Sequence, residues 1–169
     1  MPGAPLTLRA AARGDGLPLW RLVQAAGTLE VNSAYFYVLH AEHFGATCLV
    51  AAPADDPSAL RGAVIAHRPP SAPSAIFVWQ VGVAPEARGQ GLGKRMLRAL
   101  LELPACRDAT HLTATVAPDN LASERLFRGV ARELGVPCEV APFFSADLFP
   151  PGHAPEHLFR IGPLTRRTP

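Results

Sequence analysis

Ile76-Phe77-Val78-Trp79-Gln80-Val81-Gly82-Val83-Ala84-Pro85-Glu86-Ala87-Arg88-Gly89-Gln90-Gly91-Leu92-Gly93-Lys94 is the stretch around which the rest of the chain must be arranged. From Ile76 to Val83 it is a continuous apolar and β-branched run, which predicts a buried strand. Ala84-Pro85-Glu86 ends that strand, and Arg95-Met96-Leu97-Arg98-Ala99-Leu100-Leu101 then reads as a helix. Between them Gly89, Gly91 and Gly93 recur at every second position, so the backbone can turn tightly and bring its N–H groups against a ligand. Those N–H groups lie where a helix begins, and orphan donors and the positive dipole end both favour an anion there. Arg88 and Lys94 add charge at the rim. The chemistry expected is that of a pyrophosphate site.

Spacing narrows the ligand. A dinucleotide fingerprint needs G-x-G-x-x-G and a P-loop needs G-x-x-x-x-G-K-[ST]. Gly89, Gly91 and Gly93 give G-x-G-x-G, and Lys94 is followed by Arg95, so neither pattern fits. The order V-x-V-x-P-x-x-R-G-x-G-x-G, from Val81 to Gly93, instead resembles the acetyl-CoA motif of the Gcn5-related N-acetyltransferases. On that resemblance Val81, Val83, Arg88, Gly89, Gln90, Gly91, Leu92, Gly93 and Lys94 belong to the cofactor site. The plain alternative is a glycine-rich turn joining a strand to a helix.

The 169 residues suit a single domain, with a core expected over residues 6–164. Hydrophobic residues make up 49% of the chain, yet no window approaches the roughly 20 apolar residues of a membrane span. Met1-Pro2-Gly3-Ala4-Pro5 has no basic start and no apolar core, so the expectation is a cytoplasmic protein without membrane partners. A net charge of +2 is too small to argue for nucleic acid. Lys94 is the one lysine among 16 basic residues; with 18 prolines, that skew points to a G+C-rich genome more than to a function. Cys48, Cys106 and Cys138 are scattered and odd in number, which suits reduced structural thiols. His40 and His43 are three apart, but no third ligand of fitting spacing is visible, so no metal site is expected and both are read as surface residues.

Outside the central stretch, residues 6–9 alternate as a first strand should, and Gly14-Asp15-Gly16 offers a cap for a helix carrying Leu17, Trp20, Leu22 and Val23 on one face and ending near Gly27. Asn32 or Ser33 can cap a second helix running to about Phe44. Glu30, Asn32, Tyr35 and Tyr37 thereby gather at one junction, for polar recognition or as a helix whose tyrosines pack with hydroxyls outward. Residues 47–51 and 61–66 read as a hairpin and residues 110–116 as a strand. Asp119 or Asn120 caps a helix to about Leu134, stopped by Gly135. Two last strands are expected around residues 138–144 and 158–161, the loop between them holding Pro150 to His157. The order β-α-α-β-β-β-α-β-α-β-β predicts an α/β mixed sheet with helices on both faces, and the acetyltransferase resemblance implies the same order.

Asn120, Ser123 and Phe127 match positions at which that superfamily contacts CoA. Many members carry Tyr at the last of these, proposed to protonate the departing thiolate; Phe127 has no proton to give. Further matches span residues 29–37, His43-Phe44, residues 77–81, residues 118–123 and Arg160-Ile161-Gly162-Pro163. They resemble the L-2,4-diaminobutyrate Nγ-acetyltransferases of ectoine biosynthesis, over residues 8–164. Glu30 stands where Asp is expected, and Ala154-Pro155 stands where two acids are expected before Glu156. The resemblance implies acetyl-CoA as co-substrate, a small diamino acid as acceptor, and a homodimer.

A cationic acceptor suits a pocket holding Glu30 and Glu156, with Asn32, Tyr35, Thr115 and His153 as neutral donors or acceptors. Trp79 is either a pocket wall or core packing. The γ-ammonium must lose a proton before it can attack, and its unperturbed pKa is near the ~10.4 of lysine. Glu30, Glu156 or a water relayed through one of them is the candidate base. If the strands near Val83 and Thr115 splay, a backbone N–H near Val83 can polarise the thioester carbonyl. Both glutamates could instead be solvated surface acids. Two further readings stand beside this one: acetylation of another small amine, such as a polyamine or aminoglycoside, and a non-catalytic acyl-CoA-binding sensor.

Overall fold

In the computed structural model, which describes residues 5–165, seven strands form one sheet flanked by four α-helices. Residues 1–4, part of the segment read above for export signals, lie outside the described residues. The strands are β1 (Leu6–Ala10), β2 (Leu49–Pro53), β3 (Gly62–His67), β4 (Ala75–Val83), β5 (His111–Val116), β6 (Cys138–Phe144) and β7 (Glu156–Ile161). The helices are α1 (Gly16–Ala26), α2 (Ala34–His43), α3 (Leu92–Glu102) and α4 (Leu121–Leu134). Spatial order is β1-β2-β3-β4-β5-β7-β6. Only β4 and β5 run parallel, joined through α3; every other pair is antiparallel.

Local chemistry explains most boundaries. Gly27 and Gly135 end α1 and α4 in the left-handed region, at φ 66° and 68°, where a side chain would be strained. Ser33 Oγ accepts from Phe36 N at 3.3 Å to open α2, and Asn120 Oδ1 accepts from Ser123 N at 3.1 Å to open α4. On α3 the apolar residues Leu92, Met96, Leu97, Leu100 and Leu101 are buried together, each contributing on the order of 2 kcal/mol of transfer free energy. Met96 sits so close over β3 that a Cβ on Gly62 would come 2.7 Å from its Sδ.

Several sequence expectations need correction. Asp15 does not cap α1 with its side chain; its carboxylate accepts from Arg9 at 2.7 and 2.8 Å and from Ala12 N at 2.7 Å. Burial pushes that carboxyl up, but these hydrogen bonds and the Arg9 charge outweigh it and hold it below its ordinary value. Leu17 is exposed and Leu19 is buried instead, because the buried stripe runs Leu19, Leu22, Val23 and Ala26 at helical spacing and Leu17 lies off it. His40 is not a surface residue: its ring packs against Phe36 and Phe44, and Nδ1 lies 3.2 Å from Phe36 O. Burial, opposed by that bond, lowers its basicity. The two tyrosines part company: Tyr37 is wholly buried with its hydroxyl turned inward, whereas Tyr35 is 73% exposed. Finally, Glu156 and His157 belong to β7 and not to the loop before it, since β6 pairs with them.

All three cysteines are free thiols; Cys48 and Cys106 are buried and Cys138 is half-buried. Burial pushes the Cys48 and Cys106 thiols up to about 11, which suits inert packing. No helix among the described residues is long and apolar enough to cross a membrane.

Candidate acetyl-CoA cleft and acceptor site

β4 is the element that opens the site. Its register with β3 shifts between Ile65 and Ala66, which pair with Gln80 and Val78, so Trp79 has no partner and forms a β-bulge. On the other side its pairing with β5 runs from Ala75↔His111 to Val78↔Ala114 and then stops. Trp79 to Val83 therefore present an unpaired edge toward Thr115 and Val116. Ala84 N donates to Arg61 O across β3 at 2.9 Å, and successive peptide groups of a strand point to opposite sides. The N–H and C=O of Val83 thus face the opening.

A cleft of about 720 Å³ occupies that opening. One wall is the edge of β4 with Val81 and Val83, and beyond it the turn with Arg88, Gly89, Gly91, Leu92, Gly93 and Lys94. Asn120, Ser123 and Phe127 of α4 form the facing wall. Gln90 is the expected cofactor residue absent from the lining; its Nε2 instead donates to Glu86 O at 3.2 Å.

Within the turn the three glycines have different reasons. Gly89 and Gly91 have φ of 72° and 70°, and nothing lies within 4 Å of where a Cβ would stand on either. They supply the turn and an open approach. Gly93 is helical, and its Cβ would come 3.2 Å from Leu126 Cδ1, so it lets α4 lie close against α3. The first intrahelical bond of α3 runs from Arg95 N to Gly91 O at 3.1 Å. The N–H groups of Leu92, Gly93 and Lys94 consequently have no helical acceptor. Free backbone donors of this kind at a helix start suit a diphosphate.

Charge around the cradle is less free than the sequence suggests. Arg88 donates to the Ala26 carbonyl, and Lys94 Nζ lies 2.6 Å from Glu133 Oε1. Two cleft cations were not picked out from sequence, Arg125 and Arg132 on α4. The signal was there: both lie a turn from Gly129 on the helical stripe that also carries Ala122. Asn120 spends its side-chain oxygen on the helix cap, leaving its amide N–H donors for the cleft. Phe127 is buried, with its ring 6.3 Å from that of Phe159.

On the acceptor side the structure gathers part of the expected set. Trp79 and Thr115 line the cleft, and the Trp79 ring lies 5.9 Å from Phe36 of α2. Half-exposed, Trp79 is a wall of the opening and not core packing. Glu30, Asn32, Tyr35, His153 and Glu156 are not among the cleft-lining residues. The segment of Glu30 and Asn32 is nevertheless tied to β4. Gln80, the β4 residue after Trp79, donates from Nε2 to Glu30 O at 2.7 Å and accepts from the Tyr37 hydroxyl at 3.2 Å. That hydroxyl in turn accepts from Asn32 N at 3.3 Å. Tyr37, gathered with this segment in the sequence, is thus a supporting residue, and Gln80 is one that sequence reading missed, since it serves a segment 50 positions away in the chain.

Glu156 opens β7 one residue before His157, the partner of Val116. Register puts its side chain on the sheet face that carries Thr115. Burial pushes its carboxyl above the ordinary range, as does the Asp119 charge, against the opposing pull of His153 and His157. His153 stacks on Phe149 at 4.0 Å, and its Nδ1 lies 2.6 Å from Ala154 O. Since a carbonyl oxygen only accepts, Nδ1 is the donor in that contact. Among the described residues no three His, Cys, Asp or Glu side chains stand together as a metal site.

Comparison with known proteins agrees with this geometry. Residues 18–130 match the acetyltransferase (GNAT) family. The L-2,4-diaminobutyric acid acetyltransferase of Shouchella clausii is 41% identical over 160 residues, covering 94% of this chain and 88% of that protein. The protein of the same name from Bordetella parapertussis is 43% identical, over 94% and 84%. Among solved structures, diaminobutyrate acetyltransferase EctA from Paenibacillus lautus, in complex with L-2,4-diaminobutyric acid and coenzyme A, superposes with a TM-score of 0.88 at 37% identity. That match covers 99% of this chain and 100% of the other. With the opened β4–β5 edge, the glycine cradle and these relatives together, the chain belongs to the GNAT acetyltransferase family, in its diaminobutyric acid acetyltransferase branch.

Proposed function

We propose that this protein transfers the acetyl group of acetyl-CoA to the γ-amino nitrogen of L-2,4-diaminobutyrate, a step of ectoine biosynthesis. The observation that carries the reading is the end of β4–β5 pairing at Val78 and Ala114, with the phosphate cradle at one end of the opening and Trp79 at the other. The relatives named for diaminobutyrate supply the acceptor.

In this reading the N–H groups of Leu92, Gly93 and Lys94 hold the pyrophosphate, and the edge of Val81 and Val83 pairs with the pantetheine arm. Glu30 and Glu156 anchor the cationic amino acid, with Asn32, Tyr35, Thr115 and His153 completing its polar contacts and Trp79 forming a wall. The raised carboxyl of Glu156 makes it a better proton acceptor than an ordinary carboxylate. It takes a proton from the γ-ammonium, and the freed nitrogen attacks the thioester carbon directly. As the C–N bond forms the C–S bond breaks. The Val83 N–H stabilises charge on the carbonyl oxygen meanwhile. Sulfur leaves as thiolate, tolerable for a pKa of roughly 8.5; the nitrogen sheds its second proton to solvent, and the thiolate takes a proton from solvent because Phe127 has none to give.

The test is release of CoA with diaminobutyrate, ornithine, spermidine and an aminoglycoside, and NMR assignment of the acetylated nitrogen. Turnover confined to diaminobutyrate and to its γ nitrogen is expected. Preference for another amine, or α-acetylation, would sink the acceptor assignment. The same reading includes a homodimer acting in the cytoplasm. The edge strand β6 supports the dimer, because it leaves Val140, Phe143 and Phe144 exposed. Sedimentation should give twice the chain mass; a monomer at micromolar concentration would contradict it.

A further inference from the structure

Cations around the cleft are unequally committed. Lys94 is neutralised by Glu133, a carboxylate that Arg98 shares at 3.6 Å. Arg88 is tied to a backbone carbonyl, and Arg128 holds Glu124 at 2.8 Å. Arg125 and Arg132 differ. Both line the cleft, both are exposed, and among the described residues neither has an ion-pair or hydrogen-bond partner. They lie one turn to either side of Gly129, where a Cβ would come 3.2 Å from Lys94 Cδ. Two arginines with free guanidinium groups, their backbone positions about 10 Å apart along the α4 axis, therefore bracket the point at which α4 touches the cradle turn.

The cradle's backbone donors suit a diphosphate and are used up by it. CoA carries a third phosphate, a monoester on the ribose with a charge of about −1.5 to −2 at neutral pH. A dianion of that kind is matched by the planar donor fork of arginine and not by donors already engaged. We propose that Arg125 and Arg132 recognise the ribose 3′-phosphate and make the protein selective for CoA over 3′-dephospho-CoA. The glycine turn, which sees only the diphosphate, cannot distinguish the two. This inference rests on the acetyl-CoA reading of the cleft and assigns the part of it that sets nucleotide specificity.

Calorimetric titration of CoA and 3′-dephospho-CoA into the wild type, Arg125→Gln, Arg132→Gln and the double variant tests it without any acceptor amine. The wild type should bind CoA at least about tenfold more tightly than 3′-dephospho-CoA. The double variant should bring that ratio close to one by weakening CoA alone, and added salt should compress the wild-type ratio in the same direction. A selectivity that survives in the double variant overturns the proposal, as does a wild type that binds both nucleotides equally. In the second case the acetyltransferase reading stands untouched. Failure of the wild type to bind either nucleotide removes both readings together.

Discussion

Replacing Tyr37 by Phe tests whether the acceptor segment is held by the buried network behind Trp79. The hydroxyl is wholly buried, donates to Gln80 Oε1 at 3.2 Å and accepts from Asn32 N at 3.3 Å. Its loss leaves the Gln80 oxygen, on a residue only 7% exposed, without a donor. A buried polar group left unpaired costs about 1–3 kcal/mol. The Asn32 N–H is half-buried and can be rehydrated, so about 2 kcal/mol is expected in total. For a chain of this size that lowers Tm by roughly 4–8 °C. The kinetic signature separates a tether from simple core packing. The segment from Glu30 to Asn32 loosens while the phosphate cradle does not. KM for diaminobutyrate should therefore rise by about tenfold or more, with KM for acetyl-CoA changing by less than about twofold. Thermal melts and two-substrate steady-state kinetics read both effects. Combining Tyr37→Phe with Gln80→Leu removes both partners of one bond, so the double variant should lose less stability than the two single losses added. An unchanged Tm, strictly additive losses, or equal rises in both KM values would refute the tether.

Three further expectations are open to simpler measurements. Gly91→Ala forces a side chain to adopt φ 70°, at a cost of about 1 kcal/mol, and adds a methyl to the cleft lining. Urea unfolding should show the small loss, and KM for acetyl-CoA should climb well beyond it. Because Glu156 must be ionised to act as base and its carboxyl is held above the ordinary range, the acid limb of kcat/KM should lie correspondingly high. Glu156→Gln should abolish turnover while acetyl-CoA still binds. It should also melt higher than wild type at neutral pH and equal to it in acid, since an acid raised on folding costs stability only once ionised. Asp15→Asn breaks a pair whose carboxylate is 7% exposed and whose Arg9 partner is 34% exposed, an expected loss of about 2 kcal/mol at pH 7. Here the folded pKa is lowered, so the wild-type advantage is present above the unfolded value near 3.9 and should vanish as pH falls through the folded one.

Local signals carried well where the chain makes its own structure. Gly27 and Gly135 stop helices, Ser33 and Asn120 start them, and the apolar run at Ile76 becomes the central strand, all through interactions spanning a few residues. Asp15 misled because its side chain found a better partner in Arg9, on a neighbouring strand, than in the first turn of α1. The tyrosines were undecided for a related reason. Tyr35 and Tyr37 are two positions apart on a short helix, and only packing against Gln80 makes one buried and the other exposed.

What the sequence by itself determined is the element order, the position of the glycine turn between strand and helix, and the family, because those depend on spacing along contiguous stretches. Tertiary structure alone decided where β4 parts from β5, that Trp79 bulges into the opening, and which cations are free to meet a ligand. Each of those depends on register or on a partner dozens of residues away, and one residue of register changes which face a side chain occupies. Lys94 looked like a phosphate ligand beside its glycines; the fold gave it Glu133, and left the uncommitted charge to Arg125 and Arg132 on another helix.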